Sequence, residues 1–379
     1  MKQKNIGIFS FFSGAGFLDL GFEHVQQYEI LFVNEAHKPF MDIYQGTRAL
    51  MQHKEPKYGY HLKDIARFIH SEEDQRFLAL SVHEAKAIKD IVGFIGGPPC
   101  PDFSIAGKNK GHRGDNGKLS ETYIDLIIKN MPDFFLFENV KGLYRTKKHR
   151  EFFDYMKKKL TVSGYALTEK LINSIEYGVP QDRERIILVG FQKNYLEDNR
   201  IDILNFDWNH NVKYSAEEIF AMNWPTKSPF AENSATTMPN GIIKELTVQY
   251  WFDKNDVQNH PNSNKHFKPK AGLSKFQTID EGDDKKKSYK RLHRWRYSPT
   301  AAYGNNEVHL HPYKARRLTA AEAMAIQSLP KNFILPNEIT LTNMFKTIGN
   351  GVPYLASKGI AEAIDNFITG EDNEKIYSG

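Results

Sequence analysis

Apolar residues along this chain fall in short runs closed by glycine, proline or polar turns, with stretches of helical spacing between them. Ile6 to Phe12 reads as a first strand, Ile30 to Val33 as a second, and the run Ile91-Val92-Gly93-Phe94-Ile95 as a third. Phe134 to Phe137, Tyr165 to Ile175 and Arg185 to Phe191 continue the set. Helical spacing marks Thr122 to Lys129, Arg150 to Leu160 and Tyr354 to Ile368. Thr319 stands three residues before Glu322, the capping-box spacing, and starts another helix. Strands alternating with helices predict an α/β fold with a doubly wound, mostly parallel sheet. After about Tyr195 the periodicity fades into scattered Asn, Lys, Pro and aromatic residues. Residues 1–195 plus 335–379 are therefore expected to form the main domain, and residues 196–334 a smaller irregular unit with its hinge. No internal repeat is evident.

Composition narrows this picture. The 379 residues include one cysteine, which excludes an intramolecular disulfide and a multi-cysteine zinc site and fits a reducing cytoplasm. The Ile6 to Phe12 run is too short for a signal peptide or a membrane span, and no metal site is expected. A formal net charge of +5 permits a polyanionic partner.

The candidate chemistry sits where strands end. After the first strand, Ser13-Gly14-Ala15-Gly16-Phe17 forms a glycine turn before a helix, suited either to close approach of a ligand or to a plain tight turn. The second strand ends at Glu35, whose carboxylate can accept hydrogen bonds from ribose hydroxyls or simply face water. Asp64, beside Ile65, serves equally as an adenine contact or a helix cap. The third strand runs into Gly96-Gly97-Pro98-Pro99, directly followed by Cys100, a nucleophile if its surroundings favour the thiolate and otherwise a small buried hydrophobe. Ser104 to Leu119 carries Lys108, Lys110, His112 and Arg113 with no apolar periodicity, as a disordered loop or a lid that closes over substrate. Glu138, at the end of the Phe134 strand, is a general acid or the cap of the next helix. Arg183 and Arg185 share one face of an extended segment, as paired guanidinium forks or an ion-pair ladder. Lys290, Arg291, Arg294 and Arg296 interleave with Tyr289, Trp295 and Tyr297, the texture of phosphate contact and base stacking, against the commoner solvated charge run. Gly349-Asn350-Gly351-Val352-Pro353 precedes the last helix as a second amide cradle or an ordinary loop.

In order and in kind these residues resemble the DNA cytosine-5 methyltransferases of bacterial restriction-modification systems. Phe12-Ser13-Gly14-Ala15-Gly16 is similar to the family's cofactor turn, Pro99-Cys100 to its nucleophile motif and Glu138-Asn139-Val140 to its acid motif. Gln181-Asp182-Arg183-Glu184-Arg185 resembles the Gln-x-Arg-x-Arg motif, and Arg316-Arg317-Leu318-Thr319 with Glu322 and Gly349 to Pro353 resemble the last two. The likeness covers the chain to about Phe191 and again from about Arg294; the stretch between matches the family's variable target-recognition region. Two departures stand out. Pro101-Asp102 follows the cysteine where many members carry glutamine, and Ala36-His37 follows Glu35 where a further polar residue is frequent.

The resemblance implies a Rossmann-like domain that binds S-adenosylmethionine through Phe12, Gly14, Gly16, Glu35, Asp64, Ile65, Pro99, Asn350 and Val352. It implies catalysis by Cys100 and Glu138 on a flipped-out cytosine, with Arg183 and Arg185 holding the base oxygen and phosphate. Duplex DNA would be met by Ser104, Lys108, Lys110, Arg113, Lys290, Arg291, Arg294 and Arg296, and a cognate restriction endonuclease would share the site. A monomeric protein is expected. Rival readings are a tRNA cytosine-5 methyltransferase, a DNA-binding protein on an inactive methyltransferase fold, and a nicotinamide oxidoreductase; the last gives the Pro-Pro-Cys turn no role.

Overall fold

The computed structural model describes residues 4–99, 115–269, 273–285, 288–301, 303 and 308–370. Seven strands form one sheet: β1 Ile6–Phe11, β2 Tyr28–Glu35, β3 Tyr60–Leu62, β4 Ile91–Gly96, β5 Phe134–Val140, β6 Tyr165–Asn173 and β7 Glu184–Gln192. Their order across the sheet is β3-β2-β1-β4-β5-β7-β6. The first five pair in parallel, whereas β7 runs antiparallel to both β5 and β6. The chain winds outward from β1 in both directions, so the carboxyl ends of β1 and β4 meet at the switch point where open α/β sheets bind ligands.

Side-chain alternation covers both faces. Ile6 and Ile8 point to one side of β1, against the helices Phe17–Glu23 and Tyr354–Thr369, through Leu18, Phe22, Ile360 and Ile364. Phe9 and Phe11 point to the other, against the helices Glu72–Ile88, Asp115–Asn130 and Lys147–Val162, through Leu78, Ile124, Ile127 and Met156. Each such fully buried side chain stabilises the fold by about 1.5–3 kcal/mol before conformational entropy is counted. Glycine at position 93 follows from the same packing, since a Cβ there would overlap the ring of Phe134 on the adjacent strand.

Several boundaries differ from the sequence reading. Asp115 to Leu119 belong to the helix Asp115–Asn130, which begins earlier than its apolar spacing suggests because its first turn is polar. β6 stops at Asn173, whose side chain caps the short 3-10 turn Ser174–Tyr177 in a capping box with Glu176. The capping box of Thr319 and Glu322 opens the helix Ala320–Ile326 as its spacing requires. Gly349 and Asn350 are the last residues of a helix, Leu341–Asn350, and not part of an open turn.

Residues 196–334 carry short helices and isolated bridges but no extended strand among the described residues. Their hydrophobic contacts cross both expected borders. Phe206 packs on Phe367, and Leu318, Met324 and Phe333 join Phe17, Leu20, Phe40 and Ile43 in one buried cluster. A separate small cluster holds Ile175, Ile219, Trp224 and Leu246.

Candidate active site

The strand register brings the sequence candidates to one edge of the sheet. Phe11 is opposite both Asn34 and Gly96, and Gly96 is opposite Phe137. The segments that leave β1, β2, β4 and β5 at this level carry the glycine turn, Glu35, the Gly97 to Pro99 turn and Glu138.

Phe12, Gly14 and Gly16 all take positive φ, at 52°, 57° and 76°. For Phe12 that conformation is strained and persists only because the surroundings fix it. A Cβ on Gly14 would meet nothing within 4 Å, so the turn presents bare backbone to the open side of the sheet edge. A Cβ on Gly16 would collide with Tyr44 and Arg48, so the inner side is closely packed. The carboxylate of Glu35 is aimed by two amides: the Gly14 N–H donates to Oε2 at 2.9 Å and the His37 N–H to Oε1 at 2.8 Å. Each oxygen keeps a lone pair for a ligand hydroxyl. Ser13 Oγ is buried without a partner. Bare backbone, an oriented acid and an orphaned hydroxyl suit a nucleoside-bearing methyl donor. Asp64 is exposed and accepts the Ala66 N–H at 2.9 Å, the local capping role, while Ile65 is buried in the core.

Cys100, Ser104, Lys108, Lys110 and Arg113 lie outside the described residues. The turn that delivers Cys100 is described, and it rests on Glu138. A Cβ on Gly97 would lie 2.6 Å from Glu138 Oε2, and Asn139 Nδ2 donates to the Pro98 carbonyl at 3.5 Å. Pro99 follows in the same turn. Glu138 itself is buried, and its Oε1 lies 2.8 Å from Nε of Arg185. Burial pushes the Glu138 carboxyl above its ordinary value, against the pull of Arg185 and, more weakly, Arg183. Pairing with Arg185 follows from the ladder, in which Glu138 faces Ile187 and Val140 faces Arg185 on antiparallel β7.

Arg183 takes different partners. Its guanidinium is buried and donates to the carbonyls of Ala301 at 3.0 Å, Gly349 at 2.9 Å and Gly351 at 3.1 Å. Both terminal nitrogens tie Arg183 to main-chain oxygens of distant segments, while its Nε is buried without a partner. The Gly349 to Gly351 carbonyls, expected beside an amide cradle, thus serve as acceptors for Arg183. Asn350 is exposed, and Val352 is buried in the hydrophobic core. Gln181 reinforces the joint: its Oε1 accepts the Ala301 N–H at 2.9 Å and its Nε2 donates to Gln327 at 3.2 Å.

The basic-aromatic cluster divides similarly. Arg291 is fully buried, lies 3.9 Å over the Phe230 ring, and donates to the carbonyls of Ile279, His311, Lys314 and Phe276. Arg294 is buried in a fork with Glu281 at 2.8 Å and also donates to Ser234. Arg296 pairs with Asp284 at 2.5 Å. Arg291 and Arg294 hold the irregular region together from its interior, which corrects their expected role as phosphate ligands, whereas Arg296 is half-buried. Sequence shows charge but not whether it is buried. Lys290 is half-buried.

The reading from sequence missed a buried polar group beneath the glycine turn. Asp19 accepts the hydroxyls of Ser10 and Tyr44, each at 2.8 Å, and Arg48 donates to the Gly16 carbonyl at 2.6 Å while pairing with Glu23 at 2.8 Å. An acid set between Leu18 and Leu20 at the start of an apolar helix was the available signal. Among the described residues no cluster of His, Cys, Asp and Glu is arranged to hold a metal, and no helix is long and apolar enough to cross a membrane.

A Rossmann-like sheet with an oriented acid at one strand end and a buried carboxyl–guanidinium pair at another defines a methyltransferase of the doubly wound class. Residues 6–366 match the family model of C-5 cytosine-specific DNA methylases, so the chain belongs to that family and is a DNA cytosine-5 methyltransferase. It is 60% identical over 367 residues to the Type II methyltransferase M.NmeDI of Neisseria meningitidis serogroup C, covering 97% of this chain and 85% of that protein. It is 30% identical to the Type II methyltransferase M.FnuDI of Fusobacterium nucleatum, covering 97% and 96% of the two chains. The fold resembles the crystal structure of S. pombe Dnmt2 methyltransferase, with a TM-score of 0.54 at 16% identity, over 96% of this chain and 98% of that one.

Proposed function

We propose that this enzyme methylates carbon 5 of a cytosine flipped out of duplex DNA, with S-adenosylmethionine as methyl donor and Cys100 as nucleophile. The observation that carries the mechanism is the buried Glu138 carboxyl lying directly under the turn that leads into Cys100. When bound, S-adenosylmethionine supplies an electrophilic methyl group on a sulfonium. Gly14 and Glu35 would hold it at the ends of β1 and β2.

Carbon 5 of cytosine is too weak a nucleophile to take that methyl unaided. The Cys100 thiolate adds to carbon 6 while Glu138 gives its proton to ring nitrogen 3, and the ring becomes an enamine whose carbon 5 can accept the methyl. Arg185 orients Glu138 and faces the base. Removal of the proton from carbon 5 then returns the electron pair to the ring and expels the thiolate. Because carbon 6 is inaccessible within a duplex, the base must leave the stack, and the segment before the helix Asp115–Asn130 would close behind it. Residues 196–334 would contribute target recognition through side chains other than Arg291 and Arg294. The Type II relatives support a place in a restriction-modification pair, with an endonuclease that cuts the same unmethylated site.

Duplex DNA carrying 5-fluorocytosine tests the covalent route, because fluorine cannot leave as a proton does. A denaturation-resistant protein–DNA adduct that requires both cofactor and Cys100 is expected. Active protein that leaves no adduct overturns the mechanism, and equal methylation of tRNA and duplex DNA overturns the substrate.

A further inference from the structure

Asp19 lies at the third position of the helix Phe17–Glu23, in the turn that follows Gly16, and is fully buried. Its oxygens accept Ser10 Oγ from β1 and Tyr44 Oη from the helix Lys38–Leu50. From that second helix, Arg48, one turn beyond Tyr44 and stacked 4.5 Å over its ring, reaches the Gly16 carbonyl and pairs with Glu23. His53 meets Glu23 from the outer side at 3.1 Å, and His24 stands next to His53. Two acids, Asp19 and Glu23, thus share the single guanidinium of Arg48. With both acids ionised and His53 neutral, the group leaves one uncompensated negative charge behind the glycine turn. Water screens it little, because Asp19 has no exposed surface.

We infer that Asp19 is a specificity-determining residue: its buried charge favours a cationic sulfonium ligand in the glycine-turn site over the neutral thioether left after methyl transfer. The inference rests on the proposed binding of S-adenosylmethionine. The two ligands differ by one methyl group and one positive charge. Their adenosine and amino-acid parts are chemically identical, so a fixed charge is a direct means of telling them apart. Product release then follows from loss of that attraction once the methyl has gone.

The test compares dissociation constants for S-adenosylmethionine and S-adenosylhomocysteine by calorimetry, in wild type and Asp19→Asn, with Ser10→Ala as the variant that disturbs the same group and keeps its charge. Asp19→Asn is expected to weaken the sulfonium ligand about tenfold and the thioether less than twofold, as an uncompensated charge at intermediate dielectric implies. Ser10→Ala is expected to leave the ratio of the two constants unchanged. Equal weakening of both ligands in Asp19→Asn would mean a structural role only and overturns the inference. If Asp19→Asn fails to fold, the wild-type ratio between pH 5 and 8 decides: the preference should shrink as Asp19 takes up a proton near the acid end, and a flat ratio overturns the inference. Groups common to both complexes, including His24, His53 and the ligand amino group, cancel in that ratio. Wild type that binds neither ligand overturns the cofactor reading and this inference together.

Discussion

Glu138 Oε1 and Arg185 Nε lie 2.8 Å apart, on neighbouring antiparallel strands, beneath the turn Gly97 to Pro99 that leads into Cys100. One residue is the last but two of β5 and the other the second of β7, so 47 positions of sequence separate two groups in direct contact. Burial raises the affinity of this carboxyl for a proton, while the guanidinium beside it limits how far.

Replacing Glu138 with Gln keeps the shape and removes the transferable proton. Methyl transfer should fall by about 10²–10³-fold, within the range for loss of a general acid, while the dissociation constant for S-adenosylmethionine stays within twofold. Single-turnover kinetics with equilibrium binding would check this, and equal losses in both would remove Glu138 from its role.

Arg183→Met should act on stability and domain seating. It strips the carbonyls of Ala301, Gly349 and Gly351 of a shared buried donor, a loss of about 3–5 kcal/mol. Urea denaturation would read it. An intact protein whose only defect is in catalysis would instead make Arg183 a substrate ligand.

Arg294→Gln and Lys290→Gln should separate along the same line. Arg294 is locked to Glu281, so its loss should lower stability by about 3 kcal/mol or more through the unpaired buried acid. Lys290→Gln should leave stability within about 0.5 kcal/mol. If Lys290 meets a phosphate, the salt dependence of DNA binding should lose about one unit of slope, as fluorescence anisotropy at several salt concentrations would show.

Asp19 gives a pH dependence with a definite sign. Burial raises its carboxyl from 3.8 to about 6, against the pull of Arg48. Its favourable contribution is therefore complete below pH 3.8 and is lost as the pH rises through about 6. The loss amounts to about 3 kcal/mol by pH 8. Urea unfolding of wild type and Asp19→Asn between pH 4 and 8 should show this slope in the first protein only. The enzyme would thus hold an ionised carboxylate at the glycine turn at the expense of its own stability.

Gly14→Ala and Gly16→Ala make the last contrast. Both positions are left-handed, so each alanine costs about 1 kcal/mol in backbone strain. Only Gly16→Ala also collides with Tyr44 and Arg48, and it should unfold at a clearly lower temperature in a thermal scan. Gly14→Ala should stay folded and lose affinity for the cofactor, because its methyl group points where a ligand would approach.

Much of this protein is legible along the chain. Apolar runs closed by turn residues located six of the seven strands, because a buried strand must be apolar and must end where backbone geometry changes, whereas the short, less buried β3 Tyr60–Leu62 left no such run. The order of Gly14, Glu35, Cys100, Glu138 and Arg185 along those strand ends was enough to identify the family. The two-sided covering of the sheet was expected from strands alternating with helices, and the structure places Ile6 and Ile8 on one face and Phe9 and Phe11 on the other.

Burial of charge was decided only by the tertiary structure. Arg183, Arg185, Arg291 and Arg294 look alike in one dimension, yet Arg185 faces Glu138 while Arg183 and Arg291 are wrapped in carbonyls contributed by segments up to 168 residues away. The same holds for Asp19, whose partners come from β1 and from a helix 25 residues on. A guanidinium or carboxylate has one meaning in water and another in a low-dielectric interior, and which applies depends on neighbours that only the folded chain brings together.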